Sequence, residues 1–225
     1  MTLSGIGDIQ SRSKPMRLLH LVARCGNTAG PPKNVFPALR AAVDLGVRFI
    51  EMEAAMSPDG TPLLSDALLL LRQRPEVTAF VNISRATLLR FGHDQVIANV
   101  LSALRPVQSR CIMISTELPA VYRGRLLTRC PTGWILPSYD PHVRLKYEAL
   151  RPDYLFCDVD HLPPSGTLPR GPWHWVIYDV ATLDVALELA ERGASFIGTR
   201  HVYEMSEVIR AHATQATQAR QAVQA

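Results

Sequence analysis

Glu51 and Glu53 stand two residues apart, within and just after the short apolar run Val47–Met52. On a strand that spacing turns both carboxylates the same way. Two convergent carboxylates are oxygen ligands of the kind that Mg²⁺ or Ca²⁺ takes. The competing reading is that neighbouring cations neutralise the pair without any metal. A second candidate is Cys25, which follows Arg24 and precedes Gly26 at the end of another apolar run. A guanidinium beside a thiol favours the thiolate. A cysteine nucleophile also needs an oriented base, and the sequence names none, so Cys25 reads as an unreactive position. Of the seven histidines, His20 alternates within the run Leu18–Ala23 and reads as structural, whereas His161 and His201 each follow a strand-like run. Such loop histidines could move protons near neutrality, although most are merely solvated. Trp134, Trp173 and Trp175 read as packing residues.

The elements that must position these groups alternate along the chain. After Leu18–Ala23, Asn34 can cap a helix through Leu45, with Pro37 in its first turn and Gly46 as its stop. Val47–Met52 is the second strand. The turn Ser57–Gly60 leads to Thr61–Ser65, expected to extend the same sheet. Thr78–Ser84, Cys111–Ser115, Gly133–Leu136, Tyr154–Cys157, Trp175–Tyr178 and Ala194–Thr199 complete eight strands. Helical patterns are expected at Asp94–Leu104, Leu118–Leu127, Pro141–Leu150, Leu183–Glu191 and from Tyr203. Parallel strands need crossovers, so this alternation predicts a compact (β/α)8 TIM barrel with some helices shortened or missing. The Pro-rich segment Leu162–Pro172 is expected to stand in for one helix. A doubly wound open sheet is the other arrangement that strand counting allows. Residues 1–15 read as a loose leader, 16–212 as the barrel and 213–225 as a polar tail.

The chain has 225 residues, 47% of them hydrophobic and 20% charged, which excludes wholesale disorder. Its net charge of +4 is scattered rather than clustered, so no nucleic-acid partner is expected. No run reaches the ~18 apolar residues of a membrane span. The 4 cysteines are far apart and include no C-x-x-C pair, which fits a cytoplasmic chain with reduced thiols, a disulfide being the other reading that the spacing allows.

Three segments together resemble the glycerophosphodiester phosphodiesterase family. They are Ala23–Asn34, then Phe49-Ile50-Glu51-Met52-Glu53, then Asp59–Asp66, which ends in Leu64-Ser65-Asp66. Members of that family are metal-dependent (β/α)8 barrels. They carry His-Arg-Gly after the first strand, Glu-Asn before the first helix, Glu-x-Asp ending the second strand, His-Asp after a Gly turn, and a Glu on the third strand. The resemblance runs from about Leu18 to Met205 and is densest in the first third. It implies that Arg24 replaces the first catalytic histidine and Cys25 the phosphate-holding arginine. Lys33 replaces the glutamate of Glu-Asn, Glu53 the aspartate of Glu-x-Asp, Ser65 the second histidine, and Ser84 the third metal carboxylate. Asn34, Glu51 and Asp66 are retained.

The resulting reading is a family barrel that has lost hydrolysis and binds a phosphoester or a partner, with Arg24, Lys33, Asn34 and Asp66 as ligand-binding residues. No cofactor, or a weakly bound Mg²⁺ or Ca²⁺ on Glu51 and Glu53, is expected. Arg24 or Lys33 is expected to pair with Glu51 or Glu53 in the metal's place. The alternative is an active metal-dependent phosphodiesterase in which Glu51, Glu53 and Asp66 hold the metal and a loop histidine supplies the acid and base.

Overall fold

A computed structural model describes residues 19–24, 35–128 and 130–207. The leader, the tail, Cys25, Lys33 and Asn34 lie outside the described residues. Eight parallel strands close in sequence order: β1 (His20–Arg24), β2 (Phe49–Glu53), β3 (Thr78–Asn82), β4 (Cys111–Ser115), β5 (Thr132–Ile135), β6 (Tyr154–Asp158), β7 (His174–Tyr178) and β8 (Phe196–Thr199). Pairing of β1 with β8 shuts the ring, with His20 opposite Phe196 and Ala23 opposite Thr199. The open-sheet alternative is thereby excluded. The molecule is a (β/α)8 TIM barrel.

Period-two alternation sorts each strand's side chains between two layers. Ile112 and Ile114 join Val22, Phe80, Ile135, Phe156, Val176 and Phe196 in one cluster drawn from strands all around the ring. That cluster fills the barrel. Cys111 and Met113, the intervening residues of β4, belong instead to the layer beneath the helices. Those helices are α1 (Val35–Asp44), α2 (Ser65–Gln73), α3 (Arg85–Phe91), α4 (His93–Leu104), α5 (Leu118–Leu127), α6 (Pro141–Leu150) and α7 (Leu183–Arg192). The chain is helical again at 202–207.

Two expectations need correction. Thr61–Ser65 does not extend the sheet. A single antiparallel bridge, Met56 to Pro62, closes a small hairpin there, and Ser65 begins α2. The leucine run after it reads as a helix because Ala67, Leu70 and Leu71 fall on one buried stripe. Thr78–Ser84 ends as a strand at Asn82, because Ser84 is already the N-cap of α3. Between β6 and β7 there is only a 3₁₀ turn, Val159–His161, before the Pro-rich segment, so that segment does replace a helix.

Candidate functional site

The C-terminal ends of barrel strands, with the loops that follow them, are where this fold gathers its chemistry. Arg24 is the last residue of β1, and Glu51 lies directly opposite it on β2. The guanidinium Nε donates to Glu51 Oε2 at 2.6 Å, and Nη2 reaches Glu51 Oε1 at 3.5 Å. Nη1 donates to Asp179 Oδ1 at 3.0 Å. The same Asp179 oxygen receives Arg200 Nη2 at 3.3 Å. The Arg24 guanidinium also lies over the Tyr178 ring, 4.3 Å from its centre. Arg24 is therefore held on two edges by carboxylates and on one face by an aromatic ring. The expected pairing of Arg24 with Glu51 is present as a contact.

Space for this arrangement comes from Gly198 on β8. A methyl group there would stand 2.9 Å from both Arg24 Cδ and Tyr178 Cβ. Asp179, just past β7, has a φ of 58°, a left-handed conformation uncommon for a residue with a side chain. It turns its carboxylate back over the barrel end.

Burial dominates the electrostatics. Glu51 is 7% exposed. Removal from water pushes its carboxyl above the usual range, although Arg24 pulls the other way. For Arg24, burial alone would lower its proton affinity, but the charge and hydrogen bonds of Glu51 outweigh this and raise it. Burial, reinforced by Asp158, pushes the Tyr178 hydroxyl up to about 12. Arg24 thus remains a permanent cation, unable to act as an acid or base.

The other anticipated residues are less tightly gathered. Glu53 ends β2 and is exposed, with no side-chain partner among the described residues. Ser65 and Asp66 are exposed in the first turn of α2, after β2 and hence at the same barrel end. Ser84 accepts the Thr87 amide as a helix cap. His161 and His201 are exposed. His20 sits at the opposite end of the barrel, its ring 5.0 Å from those of Phe49 and Phe196. Tyr178, Asp179, Gly198 and Arg200 were not anticipated. Gly198 was the available signal, since an isolated glycine inside an apolar strand marks close approach by another group.

A divalent ion does not fit the described residues. Both oxygens of Glu51 face the Arg24 guanidinium, and among the described residues no group of three or more His, Cys, Asp or Glu could hold a metal.

No family model matches the sequence, and no curated protein matches it. Solved structures do. A glycerophosphodiester phosphodiesterase from Parabacteroides distasonis superposes with a TM-score of 0.69 at 13% identity, over 88% of this chain and 100% of that one. The barrel shares its fold with that enzyme. A phosphodiesterase from Oleispira antarctica, in complex with the product sn-glycerol-3-phosphate, gives 0.68 at 12% identity over 85% of this chain and 96% of its own. A glycerol uptake operon antiterminator regulatory protein from Listeria monocytogenes gives 0.54 at 12% identity, over 82% of this chain and 95% of that one. No helix among the described residues is long and apolar enough to cross a membrane.

Proposed function

We propose that this chain is a glycerophosphodiester phosphodiesterase-type barrel that has lost hydrolysis and binds a phosphoester at its mouth. The observation that carries the reading is the Arg24 guanidinium seated on Glu51 and Asp179. In-line hydrolysis of a phosphodiester needs a proton donor for the leaving alkoxide and a base or nucleophile opposite it. Arg24 and Ser65, at the positions that the resemblance assigns to those roles, titrate far from neutrality.

Binding needs less. Arg200 is 44% exposed at the end of β8, where a guanidinium fork can take phosphate oxygens. Lys33, Asn34 and Asp66 are the further ligand-binding residues in this reading, together with Arg24, a fixed cation at the end of β1. The sn-glycerol-3-phosphate of the Oleispira complex is the natural probe.

The second reading, a working enzyme with a rearranged metal site, rests on the exposed carboxylates Glu53 and Asp66. The test is turnover of glycerophosphocholine and of a chromogenic phosphodiester with Mg²⁺ or Ca²⁺ present, alongside calorimetry with sn-glycerol-3-phosphate. The expected result is no turnover, with binding that weakens in Arg200→Ala. Turnover that disappears in both Glu51→Ala and Asp66→Ala would establish the second reading instead.

A further inference from the structure

The end of the barrel opposite the mouth carries a cavity of about 520 Å³. It lies where β7, β8 and β1 begin, bounded by the last turn of α7 and by the Pro-rich segment. His20, His174, Ser195, Phe196, Trp173 and Arg170 are among its lining. A smaller hollow of about 240 Å³ adjoins it through His20 and reaches Arg48. The volume falls within the roughly 300–1,000 Å³ of small-molecule sites.

The wall is fastened in place. Arg192 donates from Nε to the Gly166 carbonyl at 2.8 Å and from Nη2 to the Pro163 carbonyl at 2.7 Å. The Leu168 amide donates to the Arg192 carbonyl at 2.8 Å. Trp175 and Trp173 both donate their indole N–H to the Pro169 carbonyl, at 2.8 and 3.3 Å. Four of these hydrogen bonds hold the Pro-rich segment against α7 and β7, the Trp173 bond tightens the turn itself, and the space behind it is part of the fold.

The chemistry of the lining is lopsided. Among the described residues, the side chains of His20, His174, Arg170 and Arg48 make no hydrogen bond or ion pair. Arg192 is engaged with the wall and with Glu188. Glu191 is the acidic residue that lines the cavity. His20 feels this imbalance: burial, then His174 and Arg48, hold its imidazole below the ordinary value. Among the described residues, its ring also packs on the uncharged rings of Phe49 and Phe196. A pocket that sets cationic and imidazole groups beside flat aromatic walls suits an anion that carries an organic body.

We propose that this cavity binds a small organic molecule bearing a multivalent oxyanion, a phosphate ester or a polycarboxylate, with its charge placed among His20, His174 and Arg170. The site is separate from the mouth, and it stands or falls independently of the function proposed there. An oxyanion beside His20 favours the imidazolium, so binding tightens as pH falls.

Histidine NMR on the full chain tests this, with pyrophosphate and citrate as separate probes. The expected result is saturable movement of the His20 and His174 signals and an upward shift of the His20 titration. Arg170→Ala and Arg48→Ala, both at exposed positions, should weaken binding about twofold to fivefold each. Arg90→Ala, an exposed cation on α3 outside the cavity lining, should leave the response to both probes unchanged. Response to pyrophosphate alone points to a phosphate ester, and response to citrate alone to a polycarboxylate. No saturation by about 10 mM of either probe, or equal responses in the native chain and both arginine variants, would overturn the proposal.

Discussion

Arg24 and Glu51 form a partly buried pair, and such pairs are most visible when one member is removed. Arg24→Ala would leave the Glu51 carboxyl buried without its partner, at a cost of about 3–5 kcal/mol in stability near neutrality. The pH dependence has a definite sign. Burial already raises the folded-state pKa of Glu51 above its unfolded value of about 4.3. Its contribution to stability is therefore full below that unfolded value and lost as pH rises through the folded one. Without Arg24 the folded value climbs further, so the variant should lose most stability near neutrality and regain part of it in acid. Urea midpoints at about pH 5 and about pH 8 read this out, and a variant deficit independent of pH would contradict it. Gly198→Ala is a second residue-scale test. Its methyl would meet Arg24 Cδ and Tyr178 Cβ at 2.9 Å and the Tyr178 backbone at 3.3 Å. Backbone cannot swing aside, so a loss of about 1–3 kcal/mol is expected in thermal or urea unfolding.

At the scale of elements, Ser84 shows how one residue's duty changes with context. Its hydroxyl accepts the Thr87 amide and caps α3, a seven-residue helix. Ser84→Ala should cost about 1 kcal/mol, whereas Ser84→Asp should be nearly neutral because aspartate caps equally well. Equal unfolding midpoints for the two variants would show that the cap contributes nothing. The sequence places a strand through Ser84 because Val81-Asn82-Ile83 continues the apolar alternation. The structure ends the strand at Asn82 because the backbone must turn into the helix. The same kind of ambiguity hid α2. Thr61–Leu64 has strand-forming composition, but only one bridge forms, and the leucines beyond it find a helical stripe. Short apolar runs do not declare their period, and tertiary contacts decide it.

Across the whole molecule, closure is the property that matters most. Every strand has two neighbours, and the β1–β8 pairing removes the edges that an open sheet would present. A chain ending at Gly193 would lack β8 and expose β1 and β7. It should lose the single cooperative unfolding transition and aggregate, as followed by circular dichroism and light scattering. The eight strands were readable because each is a brief apolar run between turn residues. The mouth was readable only in part. Arg24, Glu51, Glu53 and Ser65 come from segments close in sequence and do share one barrel end. Asp179 was missed because its contact with Arg24 spans 155 residues and the closure of the ring, and Arg200 joins the group only through Asp179. No local spacing encodes a contact made by closing a ring.

The seat of Arg24 also changes how any cation would compete for the mouth. A divalent ion approaching Glu51 meets a rival already tethered to the protein, with its Nε 2.6 Å from the carboxylate. In an ordinary metal site that rival is a proton, and raising the pH clears it away. A guanidinium does not leave at any working pH. Titration with Mg²⁺ or Ca²⁺ should therefore be weak and nearly flat between about pH 6 and about pH 9, steepening only once Arg24 is replaced. Arg24 thus acts as a counter-ion that neither dilution nor alkali can wash out.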